Sequence, residues 1–120
     1  MTPSAKSVLV FGIYIGLVGA TLLLIPNIFL SLIGVDTTSE VWIRLSGILL
    51  MALSVYYVVA ARHELPIIFK VTACIRCTIM FFFSAFVYLD MMEPVMLIFS
   101  AIDFAGGAWT YLAMKKDGIW

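Results

Sequence analysis

Apolar residues run almost unbroken along this chain, interrupted by a few prolines and short charged segments. The interruptions leave four apolar stretches, Ser7 to Ile25, Val41 to Ala61, Ile67 to Leu89 and Val95 to Met114. Each is about 20 residues long, which is what a helix needs to cross a hydrocarbon layer roughly 30 Å thick. The breaks have physical causes. Pro26 cannot continue the hydrogen-bond ladder of the first stretch, and a residue before proline is pushed out of the helical region. Asp36 to Glu40 is a polar loop in which Thr38 or Ser39 is placed to cap the second helix. Arg62 to Pro66 and Asp90 to Pro94 are the other turns, each ending in proline at the expected first helical residue. Ile28 to Ile33 is too short to cross and reads as an interfacial or re-entrant turn. The pattern predicts an all-α fold over one domain, residues 1–120. The expected architecture is a four-span antiparallel transmembrane helix bundle with a short interfacial turn after the first span.

Composition supports the membrane class. Hydrophobic residues make up 64% and charged residues 12% of the chain, whereas soluble domains carry about 25% charged residues. Seven basic residues balance seven acidic ones, so no basic footprint for nucleic acid exists. The first span has the apolar run of a signal peptide. It lacks a small-residue cleavage site followed by a hydrophilic region, and is expected to be retained. Lys6, Arg62, Lys115 and Lys116, with Lys70 just inside the third span, fall on one side. The opposite loops carry Asp36, Glu40, Asp90 and Glu93 and no basic residue. Basic flanks stay inside, which places both termini and the middle loop in the cytoplasm. The same bias argues against dual-topology dimers such as the small multidrug and fluoride exporters.

Gly12, Gly16 and Ala20 recur on one face of the first helix, and Ala101, Ala105, Gly106, Gly107 and Ala108 make the fourth helix thin. Such faces let helices approach closely inside a bundle. Four short helices enclose little volume, so a homo-oligomer or a partner membrane protein is expected, with the first-helix stripe as the contact.

Two charged residues sit deep. Arg76, ten residues past Pro66, lies about 15 Å into its span, and Asp103 about 13 Å from the opposite surface. A charge at the bilayer centre costs about 2.5–3.5 kcal/mol even on lenient scales. An Arg76 to Asp103 ion pair between the third and fourth helices is the simplest arrangement, and as a plain structural bridge it fixes helix register without chemistry. Arg44, near the outer end of the second helix, either snorkels and pairs with Glu40 or turns inward. Turned inward, it leaves two arginines facing one aspartate, an excess that an anionic lipid headgroup or a hydrophobic molecule with a carboxylate or phosphate satisfies. Gly106, Gly107 and Thr110 share Asp103's face, and Thr72 lies one turn from Arg76, leaving room for a ligand. The expected ligand-binding set is therefore Arg44, Arg76, Asp103, Thr72, Gly106, Gly107 and Thr110.

Cys74 and Cys77 form a CxxC inside the third span. A thiol-dependent redox protein or metal carrier is the alternative they raise. Redox pairs normally use a helix N-terminus to activate the thiol, and no second pair exists here to relay electrons. A proton-coupled small-solute transporter using Asp103 is a further alternative, ranked lower because an arginine partner occupies that carboxylate. His63 is the sole histidine and lies in a loop, which excludes bis-histidine haem within one chain and His-based membrane metal sites. No catalytic residue, metal or other cofactor is assigned. Tyr56, Tyr57, Tyr88, Tyr111, Trp42, Trp109 and Trp120 are expected as interfacial anchors.

Leu22-Leu23-Leu24-Ile25-Pro26, Leu32-Ile33-Gly34-Val35 and Arg44-Leu45-Ser46-Gly47-Ile48-Leu49-Leu50 together resemble a group of bacterial four-helix integral membrane proteins without an assigned activity. In that group a second-helix Arg followed by Gly, a third-helix Arg and a fourth-helix acid recur. The matching positions are Arg44 with Gly47, Arg76, and Asp103 within Ala101-Ile102-Asp103-Phe104-Ala105-Gly106; Ser46 stands where a second glycine is expected. The resemblance implies a bacterial inner (cytoplasmic) membrane location. The expected function is a small non-catalytic membrane protein, either an accessory subunit or a binder of an anionic lipid or hydrophobic small molecule.

Overall fold

A computed structural model describes residues 2–37, 39 and 41–119. All regular structure among them is helical: α1 (Pro3–Leu24), the short α2 (Pro26–Leu32), α3 (Trp42–Arg62), α4 (Pro66–Tyr88), a 3-10 turn (Pro94–Met96) and α5 (Leu97–Lys116). Four segments, Pro3–Leu24, Trp42–Arg62, Pro66–Tyr88 and Pro94–Lys116, are long and apolar enough to cross a membrane.

Helix starts follow the prolines. Pro3, Pro26, Pro66 and Pro94 each open an element, where the missing N–H has no intrahelical partner to lose. α1 begins four residues earlier than the apolar pattern places it, because the Thr2 side chain accepts the Ala5 N–H at 3.2 Å. Ser39 does not cap α3, whose preceding residue Val41 offers no side-chain hydrogen bond; Thr38, Glu40 and the expected anchor Trp120 lie outside the described residues. The segment expected as an interfacial turn is the two-turn helix α2. Helices α2 to α5 all end in the same reverse turn, with paired bonds such as Val35 N–H to Leu30 C=O (2.9 Å) and Gly34 N–H to Ser31 C=O (3.2 Å). That turn needs a left-handed residue, supplied by Gly34 and Gly118 at α2 and α5 but by Glu64 (φ 50°) and Asp90 (φ 58°) at α3 and α4.

Packing order differs from chain order. α1 packs most extensively on α3, α4 packs on α5, and α1 joins the two pairs through α5. α3 and α4, although joined by a three-residue turn, barely touch. The α1–α3 seam is built on small residues. A Cβ at Gly12 would lie 3.0 Å from Tyr57, one at Gly16 2.6 Å from Ser54 Oγ, and one at Gly19 2.6 Å from the Gly47 carbonyl oxygen. Ser54 Oγ–H also donates to the Gly12 carbonyl at 2.7 Å. The first-helix stripe, expected as a contact with a second chain, is thus occupied by α3 within one chain. Tyr57, expected as an interfacial anchor, is buried against Phe11 with ring centroids 6.1 Å apart.

One end of the molecule is tied by polar contacts. Glu64 accepts from the Thr2 N–H (2.9 Å) and hydroxyl (2.7 Å), and Asp117 accepts from the Ser4 N–H (3.1 Å) and hydroxyl. The start of α1, the α3–α4 turn and the end of α5 therefore meet. The bonds from Thr2 hold the Glu64 carboxyl below its ordinary pKa. A carboxylate with a depressed folded-state pKa contributes stability that is full above its unfolded value and lost as pH falls through the folded value. Melting temperature is accordingly expected to fall below about pH 4.5, and Glu64→Gln is expected to reduce this acid dependence without changing the helical content; an unchanged acid limb in the variant overturns the assignment.

Candidate functional site

Side chains on α-helices lean toward the N-terminus of their own helix, and this separates the two deep charges. Arg76 leans back along α4: its Nε–H donates to the Thr72 carbonyl (3.2 Å) and its Nη2–H to the hydroxyls of Thr72 (3.3 Å) and Thr110 (2.8 Å). Its Cζ lies 4.4 Å from the Phe11 ring centroid and 6.0 Å from that of Tyr57. Nη1 is buried without a hydrogen-bond partner. None of these bonds reaches Asp103, so the expected ion pair is not formed. Counting residues from the prolines gives Cα depth and misses the opposite lean of the two side chains.

Arg76, Thr72 and Thr110 form a fully buried polar spine with residues of α1. Thr110 and Ser7 hydroxyls lie 2.8 Å apart, and Ser7 donates to the Ser4 carbonyl at 2.7 Å. Since Ser7 spends its proton on that carbonyl and Thr110 accepts from Arg76, the remaining polarity runs from the Thr110 hydroxyl to Ser7. Arg76, Thr110 and Ser7 each show 1% exposure or less, so water does not compete for these bonds. Glycine closes the structure around them. A Cβ at Gly107 would lie 2.9 Å from Cys77 Sγ and 3.0 Å from the Ala73 carbonyl, and one at Gly106 3.0 Å from the Phe11 ring and 3.2 Å from Arg76 Nη1. Beside Gly107 the space expected for a ligand is filled by α4, whereas Gly106 also borders an open groove of about 370 Å³ with Phe11, Tyr14, Ile102 and Trp109.

Arg44 does not join the cluster. Its Nη1–H donates to the Leu23 carbonyl, one of the acceptors left open where Pro26 ends α1. Its expected partner Glu40 lies outside the described residues. The charge count that called for an anion, two arginines to one carboxylate, is therefore not met.

Asp103 leans the other way, into a partly open cavity of about 190 Å³ lined by residues of all five helices. Its walls include Tyr14, Val18, Leu22, Phe83, Met96 and Phe99, with Phe29 and Leu30 of α2 as a cap; the Phe29 and Phe99 rings stand 5.8 Å apart. Among the described residues Asp103 is the one carboxylate in this apolar lining. Leu30, Ile43 and Met96 also border an open depression of about 500 Å³ lined by Asp36, Asp90 and Glu93, so cavity and depression adjoin.

Sequence reasoning missed Tyr14, Phe29, Phe83, Met96 and Phe99. A signal existed on α5, where Met96, Phe99 and Asp103 follow one face at spacings of three and four. The face was read from Asp103 toward Gly106 and Thr110, opposite to the direction in which the side chain points.

The cysteines diverge as well. Cys74 is exposed and Cys77 is half-buried against Gly107, both as free thiols. Among the described residues no three His, Cys, Asp or Glu side chains come together. Comparison with family models, with curated proteins and with solved structures finds no match.

Proposed function

We propose that this chain is a small, non-catalytic membrane protein that holds a hydrophobic small molecule between its helices. In this reading the four long helices cross a bacterial inner membrane as an antiparallel bundle, with both termini and the α3–α4 turn on the cytoplasmic side. Contact numbering supports the direction: α1 residues 12, 16 and 19 meet α3 at 57, 54 and 47. The basic residues Lys6, Arg62, Lys115 and Lys116 support the sidedness. The likeness to bacterial four-helix membrane proteins belongs to the same reading.

The observation that carries it is the cavity of about 190 Å³ with one carboxylate among aromatic and aliphatic walls. Binding sites for small molecules have that character, apolar with few polar groups that fix orientation. An engineered apolar cavity of roughly 150 Å³ already holds benzene, so a chain of about eight carbons is a reasonable occupant. An anionic headgroup is the weaker ligand, because it needs arginine, and neither Arg44 nor Arg76 lines the cavity. Proton-coupled transport gains one point: the bridge that occupied Asp103 is absent, and the carboxylate faces a space next to an open mouth.

The test uses methionine methyl groups as reporters. With ¹³C-methyl methionine in phosphatidylcholine nanodiscs, n-octanol is expected to shift the Met96 resonance saturably and leave that of Met114, fully buried elsewhere, in place. Val18→Trp, which fills the cavity, is expected to abolish the shift. A Met96 signal that responds only in proportion to bilayer octanol, with wild type and variant alike, overturns the reading.

A further inference from the structure

Charge distribution around the cavity defines its occupant further. Building on the hydrophobic-ligand reading, we propose that the cavity takes an amphiphilic amine from the aqueous side, its ammonium on Asp103 and its tail among Phe29, Phe83, Phe99 and Met96.

Three observations converge. First, the charged group presented to the cavity is a carboxylate. Arg76, the guanidinium of the deep polar spine, turns to Thr72 and Thr110, stacks on Phe11, and keeps Nη1 sealed behind the ring and Gly106. It does not line the cavity. An anion there meets Asp103 directly, whereas an ammonium finds a hydrogen-bonding counter-charge in surroundings where charge interactions are stronger than in water.

Second, the adjoining depression repeats the sign. Asp36, Asp90 and Glu93 border it, and among the described residues no basic side chain lines it. The cluster tied by Glu64 to Thr2 and by Asp117 to Ser4 marks the opposite end of the molecule, where Arg62, Lys115 and Lys116 are placed. A mouth of one sign raises the local concentration of opposite charges and disfavours like ones.

Third, the two spaces are neighbours. Leu30, Ile43 and Met96 border both, so movement of these apolar side chains is all that an entering cation needs to pass from the acidic rim toward Asp103. The carboxylates thus come in two groups, Asp36, Asp90 and Glu93 at the depression and Asp103 in the cavity wall.

The experiment compares three probes with the same eight-carbon tail, n-octylamine, n-octanol and n-octanoate, in neutral phosphatidylcholine nanodiscs, with bilayer-phase concentrations measured on empty discs. The Met96 methyl resonance reports occupancy. Octylamine, protonated at neutral pH, is expected to saturate the site at a concentration at least about ten-fold below octanol, with octanoate the weakest. Asp103→Asn is expected to bring octylamine to within about three-fold of octanol while octanol still saturates the site, which shows that the cavity is intact. Asp103→Glu, keeping the charge, is expected to retain the preference, so that a folding defect in one variant does not decide the outcome. Octanol saturating the site with no advantage for the amine, or octanoate binding most tightly, overturns the amine assignment and leaves the cavity reading standing. Failure of all three probes to saturate Met96 overturns both.

Discussion

Gly47→Ala is expected to destabilise the protein in mild detergent by about 2–3 kcal/mol, the range for overpacking a close contact that cannot relax. The added methyl group would lie 2.5 Å from the Gly19 carbonyl oxygen and 2.8 Å from the Leu23 amide nitrogen. Both are backbone atoms, so no rotamer change relieves the clash and α1 must move away from α3. The displacement also strains the Ser54 hydrogen bond to Gly12 and the Arg44 bond to Leu23, both made across the same seam. Gly34 is the internal control. A Cβ there meets nothing within 4 Å, and the cost is confined to its φ of +79°, about 1 kcal/mol for a left-handed non-glycine residue. Equilibrium unfolding in mixed detergent micelles checks the pair; Gly47→Ala within about 0.5 kcal/mol of the native chain removes the seam from the stability argument. A still larger side chain, Gly47→Leu, is expected to prevent α1 and α3 from pairing at all.

The seam also shows what the sequence made legible. Helix limits follow from proline chemistry and hydrophobic length, and Pro26, Pro66 and Pro94 each sit where an element begins. Gly12 and Gly16 were readable as a close-packing face because spacing of four on a helix is local information. Their partner was not readable, since choosing α3 over a second chain depends on Gly47 and Ser54 arriving at the same height. Pairing order has the same origin. Consecutive helices α3 and α4 separate, and the two pairs are joined through α1 and α5, because the thin faces of α1 and α5 offer closer approach than the α3–α4 turn imposes. For the site, Arg76, Thr72, Thr110 and Asp103 were all identified by residue type and depth. Their division into a buried spine and a separate cavity was not, because it follows from side-chain direction. Tyr14 and Phe29 were missed because they reach the cavity from elements whose relative placement no single helix encodes.

Arg76→Met and Arg76→Ala are expected to differ by several kcal/mol, and that difference tests how the buried guanidinium is held. Arg76 is 1% exposed and is among the largest fully buried side chains. Truncation to Ala opens a cavity among Phe11, Tyr57 and Gly107 and costs about 3–4 kcal/mol. Met keeps most of the volume and removes a charge that has no counter-ion in contact and one nitrogen, Nη1, without a partner. Its losses are the stacking on Phe11, worth about 1–2 kcal/mol when desolvated, two hydroxyl contacts and the bond from Nε–H to the Thr72 carbonyl. Thr72 retains the Phe69 carbonyl as acceptor and Thr110 retains Ser7, so neither hydroxyl is orphaned. Relief from the buried charge offsets these losses, and Arg76→Met is expected within about 1 kcal/mol of the native chain. Had Asp103 been the partner, Met would strand a carboxylate and cost about 3–5 kcal/mol. A double-mutant cycle of Arg76→Met with Asp103→Asn reads the distinction directly: without a hydrogen-bonded contact between the groups, only the through-space attraction of the two charges remains, and the coupling is expected below about 1 kcal/mol. Coupling above about 1.5 kcal/mol, the range of groups in direct contact, would join spine and cavity into one charged site and withdraw Asp103 from the ligand.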